Sequence, residues 1–429
     1  MRKSKTKKSV SVLLVLMAII MLLTSCGKTE TKTTEPAADG TEADAAVATD
    51  AAAETDAAAE TDGAAETDGE TPAGDTIKIG GLAPLTGPVS VYGIAADNGA
   101  QLAIKEVNAN GGVLGKQIEY IVYDEKGEPV EATNAYNRLV NEDKVIALIG
   151  DVTSGPSIAV AQRAVLDNLP MITPTGTSAD ITAQGPNVFR ACFIDENQGS
   201  LMGTFMAENL KLKKAAVLYD VSDPYAQGLN DAFTAKCKDL GIEVVTTEIY
   251  NAGDTDFKTQ LTKILAAEPE ALYVPNYYND NIMIVRQAKQ IGLDVPFLGG
   301  DGWDGILSEN VIGADKNDAD GSYFTNHYAA DDPAEKLQNF LAAYREEYGV
   351  EAISFSALGY DAAMMMVQAI ETAGSTDSAA IVDALKNIEY EGVTGDITFD
   401  ENNNPIKTVS IILIKDGAYT LFTKMKSGE

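Results

Sequence analysis

Histidine is almost missing from this sequence: His327 is the only one. An imidazole-based zinc site, or a nucleophile activated by an imidazole base, would have to use it, and nothing near it in sequence resembles a nucleophile or ligand cluster. Cysteine is nearly as scarce, at three residues: Cys26, Cys192 and Cys237. Cys192 and Cys237 stand far apart in segments of different kinds, so a disulfide framework does not organise the chain. Lysine and arginine number 32 against 64 acids, and the net charge is -32. With no basic patch in view, nucleic acid and close contact with an anionic membrane surface are excluded. Phosphate motifs are lacking too. Gly80-Gly81 opens no G-x-G-x-x-G, and Gly111-Gly112-Val113-Leu114-Gly115-Lys116 has neither the spacing nor the hydroxyl of a phosphate loop. Asp400, Asn402 and Asn404 have calcium-loop spacing, but Pro405 and Ile411 occupy the required glycine and glutamate positions. No cofactor and no metal is expected.

What is present begins with a targeting segment. Arg2, Lys3, Lys5, Lys7 and Lys8 precede an apolar stretch from Val10 to Leu23, suited to a signal peptide and short for a membrane span. It ends Leu23-Thr24-Ser25-Cys26, which resembles the lipobox of bacterial lipoproteins. That resemblance implies cleavage after residue 25, a diacylglyceride on Cys26 and, with two acyl chains, a stable anchor. Residues 27–75, built on Ala-Ala-Glu-Thr-Asp repeats, hold almost no large apolar side chain and repel themselves. They read as a disordered acidic tether, spanning on the order of 40 Å as a flexible coil.

From Thr76 the pattern alternates. Short runs rich in Ile, Val and Leu, such as Ile77–Leu82, Ile118–Tyr123 and Val145–Ile149, are separated by stretches at helical spacing, such as 95–108, 129–142 and 157–168. The rhythm repeats from 197 to 299, which predicts two consecutive doubly wound parallel sheets. Helices are expected near 333–348, 356–373 and 376–387, then a terminal hairpin of 396–400 against 409–421 around the polar turn 401–405.

In such sheets ligands bind beyond the carboxyl ends of the strands. One such loop is Asp151-Val152-Thr153-Ser154-Gly155-Pro156-Ser157, opening a helix; another is Thr173-Pro174-Thr175-Gly176-Thr177-Ser178. Hydroxyls and helix-N-terminal amides suit a carboxylate. In the second half, Asp301 follows a strand directly and could hold an ammonium, with Trp303 bounding an apolar pocket. A carboxylate site facing an ammonium site describes an α-amino acid.

At Gly87-Pro88 to Tyr92-Gly93, Ile172-Thr173-Pro174, Asp195 to Gly199, Asp223-Pro224-Tyr225 to Gly228 and Gly392 to Phe399, the chain resembles the branched-chain amino-acid binding proteins of ABC importers. The resemblance covers essentially all of 76–429. It implies a type I periplasmic-binding-protein-like α/β fold, with two lobes joined by a three-segment hinge. Lobe 1 would take 76–195 and 325–392; lobe 2 would take 196–324 and the terminal 393–429. It implies Ser154 and Thr177 on the ligand carboxylate, Thr175 (through its carbonyl), Thr177 and Asp301 on the ammonium, and Tyr92, Tyr225 and Tyr277 lining or lidding the cleft, with Trp303 in the side-chain subsite. Enteric relatives carry glutamate where Asp301 stands, and their cleft disulfide falls on Gly127 and Thr153, so it is absent. The implied protein is a monomeric, lipid-anchored, extracytoplasmic binder that hands an amino acid to membrane permease subunits and is not an enzyme. Two alternatives stay open: a ligand sensor, and a binder of an amide, urea or γ-amino acid.

Overall fold

A computed structural model describes residues 76–426; the expected signal peptide, Cys26 and the tether lie outside them. The first half runs β1 (Ile77–Ala83), α1 (Ser90–Ala109), β2 (Ile118–Asp124), α2 (Pro129–Arg138), β3 (Ala147–Ile149), α3 (Ser154–Asp167), β4 (Met171–Thr173) and β5 (Val188–Arg190). These strands form a parallel sheet in the order β2-β1-β3-β4-β5. Its central strands are buried throughout, as apolar runs without alternation require when helices cover both faces.

The second half runs α4 (Asp195–Phe205), β6 (Lys214–Asp220), α5 (Pro224–Leu240), β7 (Glu243–Tyr250), α6 (Lys258–Ala266), β8 (Ala271–Tyr273), α7 (Tyr278–Gln290), β9 (Phe297–Gly299), α8 (Glu309–Ile312) and β10 (Tyr323–Asn326). Helices α9 (Glu335–Tyr348), α10 (Ser354–Ala373) and α11 (Ser378–Lys386) follow, then β11 (Tyr390–Gly392), β12 (Gly395–Ile397), β13 (Thr408–Lys415) and β14 (Ala418–Lys426). The second sheet is ordered β14-β13-β10-β9-β8-β6-β7, parallel except where β13 pairs with β10 and β14. The fold is therefore α/β with two parallel-sheet cores, as expected.

Helix α10 returns to the first sheet. Its Leu358, Ala362, Met365 and Met366 share a core with Ile79, Ile149 and Ile172. Helices α1 and α10 touch backbone to backbone: a Cβ on Gly99 would stand 1.9 Å from the Ser356 carbonyl, and one on Gly359 2.0 Å from that of Ala96. Only glycine fits either position. The chain thus passes between the sheets three times, after β5, after β10 and between β12 and β13.

The terminal hairpin differs from expectation. Strand β12 pairs with β11, not with the 409–421 segment, and β13 pairs with β14. The hairpin turn is Asp416-Gly417, with φ of 54° and 68°. Positive φ at both positions is the twist-matched two-residue turn that Asp-Gly favours. The 401–405 segment is a capped loop, in which Asp400 Oδ1 accepts from the amides of Asn402 and Asn404, each at 2.8 Å. Strands β5 and β10 also lie outside the expected set. Cys192 and Cys237 are buried and unbridged. Among the described residues no helix is long and apolar enough to cross a membrane.

Candidate functional site

The loops ending β3 and β4 are stitched into one surface. Thr173 Oγ1 donates to the Asp151 carbonyl (2.6 Å) and accepts from the Gly176 amide (2.8 Å), while Thr175 Oγ1 donates to the Val152 carbonyl (2.6 Å). Beneath them the fully buried Arg190 donates to the carbonyls of Gly176 (2.8 Å) and Ser178 (2.7 Å) and to Thr182 Oγ1 (3.1 Å). Charge-assisted bonds of this kind fix a loop that has little regular structure of its own. The result holds Ser154, the first residue of α3, beside Thr175 and Thr177.

Behind this loop sit two buried acids, Glu125 and Asp151. Burial, then the neighbouring Asp151 charge, pushes the Glu125 carboxyl up to about 9. Burial likewise raises Asp151, against the bonds it accepts from the Val152 amide and from Glu125. Like charges this close in a dry site cannot both ionise, so the pair keeps a proton.

The opposite wall comes from the second half. Asp223 caps α5 by accepting from the Tyr225 amide at 3.2 Å, and Pro224 fills the first helical position, which fixes Tyr225 at the helix start. Its ring stacks on Tyr277 (4.9 Å, 6°), the residue preceding α7. Asp301, just beyond β9, is 2 % exposed. Its Oδ1 accepts from Gln198 Nε2 (3.1 Å) and the Tyr225 hydroxyl (3.0 Å), and its Oδ2 lies 2.9 Å from His327 Nε2.

Between the walls is a small cavity of about 10 Å³. Val152, Thr153, Ser154, Thr175 and Thr177 line one side, with Tyr225, Tyr277, Asp301, Gly302 and Phe355 around the rest. At this size it has room for about one water molecule, far below the roughly 300–1,000 Å³ of ligand pockets, so a solute enters only if the walls part. Tyr92 stands one layer behind. It stacks on Phe355 (4.1 Å, 10°), donates to the Gly302 carbonyl (2.5 Å) and accepts from the Tyr278 amide (3.2 Å). Helix α1 is thereby tied to the second sheet.

Trp303 is placed differently from the sequence expectation. Its indole donates to the Val274 carbonyl at 2.8 Å and lies beneath Gly299, in the core rather than on the cavity. Phe355 supplies the apolar wall in its stead. The sequence reading missed Phe355 because it began α10 two residues too late, at Ser356. It missed the Gln198–Asp301–His327 connection because those residues meet only in the tertiary fold.

A two-sheet α/β chain whose strand-end loops face one another across a narrow cleft defines a class of binding proteins, and sequence comparison makes this concrete. The profile of the periplasmic binding protein family matches residues 76–418, and the chain belongs to that family. It is 33% identical over 333 residues to the leucine-, isoleucine-, valine-, threonine- and alanine-binding protein of Pseudomonas aeruginosa, covering 77% of this chain and 88% of the relative. Among solved structures it is similar to the leucine-binding protein LivK of Thermotoga maritima, at 35% identity and a TM-score of 0.76, covering 82% of this chain and 99% of that one. The branched-chain amino-acid transporter substrate-binding protein LivJ of Streptococcus pneumoniae, in complex with isoleucine, matches at 36% identity, a TM-score of 0.76 and the same coverage.

Proposed function

We propose that this chain is the solute-binding component of an ABC importer and captures a branched-chain or similarly apolar amino acid without chemical change. The observation that carries the reading is the opposition of Asp301 to Ser154 and Thr177 across one small cavity with an aromatic wall. Hydroxyls and the α3 N-terminus take the carboxylate. Asp301 and the Thr175 carbonyl take the ammonium, and Phe355, Tyr225 and Tyr277 enclose the side chain. The rings offer area and shape rather than polar partners, which favours an aliphatic group over a charged one.

Residues 76–195 with 325–392, and 196–324 with 393–429, act as two lobes that close about the three connecting segments. The Tyr92–Gly302 and Tyr278–Tyr92 bonds are the latch of the closed form. Closed, the monomeric protein presents its cargo to permease subunits outside the cytoplasm, while an acylated Cys26 and the acidic tether keep it near the membrane.

Charge-assisted bonds contribute about 1.5–3 kcal/mol each and an enclosed aliphatic side chain a similar amount. Against the cost of association this reaches roughly micromolar affinity. Replacing Asp301 by alanine leaves a buried ammonium unpaired and is expected to weaken leucine binding by about 2–5 kcal/mol in calorimetry. Unchanged affinity in D301A would remove this assignment.

A further inference from the structure

The single histidine of the chain stands where the ligand site meets the interconnecting segments. His327 is the first residue beyond β10, and its side chain is 0% exposed. Its ring stacks on Phe193, from the segment after β5, at 3.7 Å and 17°. Its Nε2 lies 2.9 Å from Asp301 Oδ2, whereas Nδ1 is buried with no hydrogen-bond partner. The compatible form is therefore neutral, with the proton on Nε2 donated to the carboxylate. A second proton on Nδ1 would find no acceptor.

The charged surroundings reinforce this. Burial, with a smaller contribution from the Lys407 charge, lowers the His327 pKa from its ordinary 6.5, and Asp301 opposes that shift. Lys407, on the segment before β13, is tied to the Ala191 carbonyl at 3.0 Å and to Thr394 Oγ1. Burial, with a smaller contribution from the Asp301 charge, pushes up both Cys192, after β5, and Asp195, at the start of α4. Asp361 of α10 partly offsets the Lys407 charge. Gln198 and Tyr225, the other partners of Asp301, do not titrate near neutrality. A groove lined by His327, Thr394, Lys407 and Asp396 runs beside this residue, whose ring is itself closed to solvent.

We infer that His327 is a positioning residue that makes ligand capture proton-sensitive. Neutral, it orients Asp301 Oδ2 while leaving the carboxylate its charge for the ammonium. Protonated, it becomes a fixed cation 2.9 Å from that oxygen and competes with the ammonium for it. A proton is taken up from solvent at Nδ1 and no other bond changes. The solute is then held at neutral pH and released as the surroundings acidify. This inference rests on the assignment of Asp301 to the ligand ammonium.

The test uses the untagged full-length chain in detergent, with L-leucine as probe. Because there is one imidazole, its NMR titration reads His327 directly. Leucine saturation is expected to lower the His327 pKa, since binding and protonation oppose each other and the coupling is reciprocal. Calorimetry should show the leucine Kd rising by up to about tenfold per pH unit below that pKa. In His327→Gln, which keeps a neutral donor, that rise should be absent. An identical His327 titration with and without leucine overturns the inference even if His327→Gln fails to fold. So does an H327Q affinity profile that follows the wild type. If leucine does not bind, or Asp301→Asn binds it unimpaired, the site assignment falls and this inference with it. If D301N loses binding while His327 titrates unmoved, only the inference falls.

Discussion

Replacing Glu125 by glutamine should stabilise the protein at alkaline pH and do little at acidic pH. Glu125 is 0% exposed, beneath the Val152–Ser154 loop, and shares its surroundings with the buried Asp151. In the unfolded chain its carboxyl titrates near 4.5, whereas in the fold it holds its proton up to about 9. Between those values the native state binds one more proton than the unfolded state, so stability falls as pH rises, by about 1.4 kcal/mol per unit. From about pH 5 to pH 8 this amounts to at most about 4 kcal/mol. Glutamine has the same shape, donates to Asp151 and never ionises, so it removes this one dependence. Other raised carboxyls, Asp97 and Asp280 at about 6 and Asp223 at about 7, act in the same direction and remain in both proteins. The assay is urea denaturation of both proteins at a series of pH values. The two stability curves should nearly meet at pH 5 and diverge by a few kcal/mol at pH 8, wild type lower. Parallel curves would mean that Glu125 is ionised in the fold and that the paired-acid account is wrong.

Phe355→Ala should weaken leucine binding by about 2–3 kcal/mol in calorimetry, since it removes the aromatic wall and the Tyr92 stack. Trp303→Phe should leave affinity within about twofold while lowering the melting temperature, because the indole donates to Val274 in the core. Tyr92→Phe removes a hydroxyl that both donates to Gly302 and accepts from Tyr278. Small-angle scattering at saturating leucine should then show a more open average shape, and dissociation should quicken about tenfold, for a loss of about 1–2 kcal/mol. Gly359→Ala should cost about 1–3 kcal/mol or more in denaturation, because its Cβ would stand 2.0 Å from the Ala96 carbonyl.

The two-sheet architecture was legible because each long strand and helix carries its own period, and a loop after an apolar run marks the binding edge whatever the loop contains. That is why Ser154, Thr175, Thr177 and Asp301 could be named and are brought together here. Short elements were less visible. Strand β5 has Arg190 at its end, which reads as surface, yet Arg190 is buried with two carbonyls of the ligand loop and the Thr182 hydroxyl accepting from it. The terminal hairpin was misplaced because the polar run 401–405 outweighed Asp416-Gly417, the sharper turn signal. Trp303 follows the same strand as Asp301, but the short 3₁₀ turn at 301–303 sends its indole into the core. The environment of His327 was not legible at all. Its partners Phe193 and Asp301 are remote in sequence and converge only where separate connecting segments pass each other.

The central claim is that the cavity between Ser154 and Asp301 holds an apolar amino acid. It is tested most directly by calorimetry on the full-length chain, unfolded and refolded to strip carried ligand, against leucine, isoleucine, valine and the remaining amino acids in turn. The account predicts saturable, roughly micromolar, one-to-one binding of at least one branched-chain amino acid, and no measurable binding of charged ones. Silence across the whole set, from a protein that has recovered its native unfolding transition, would contradict it.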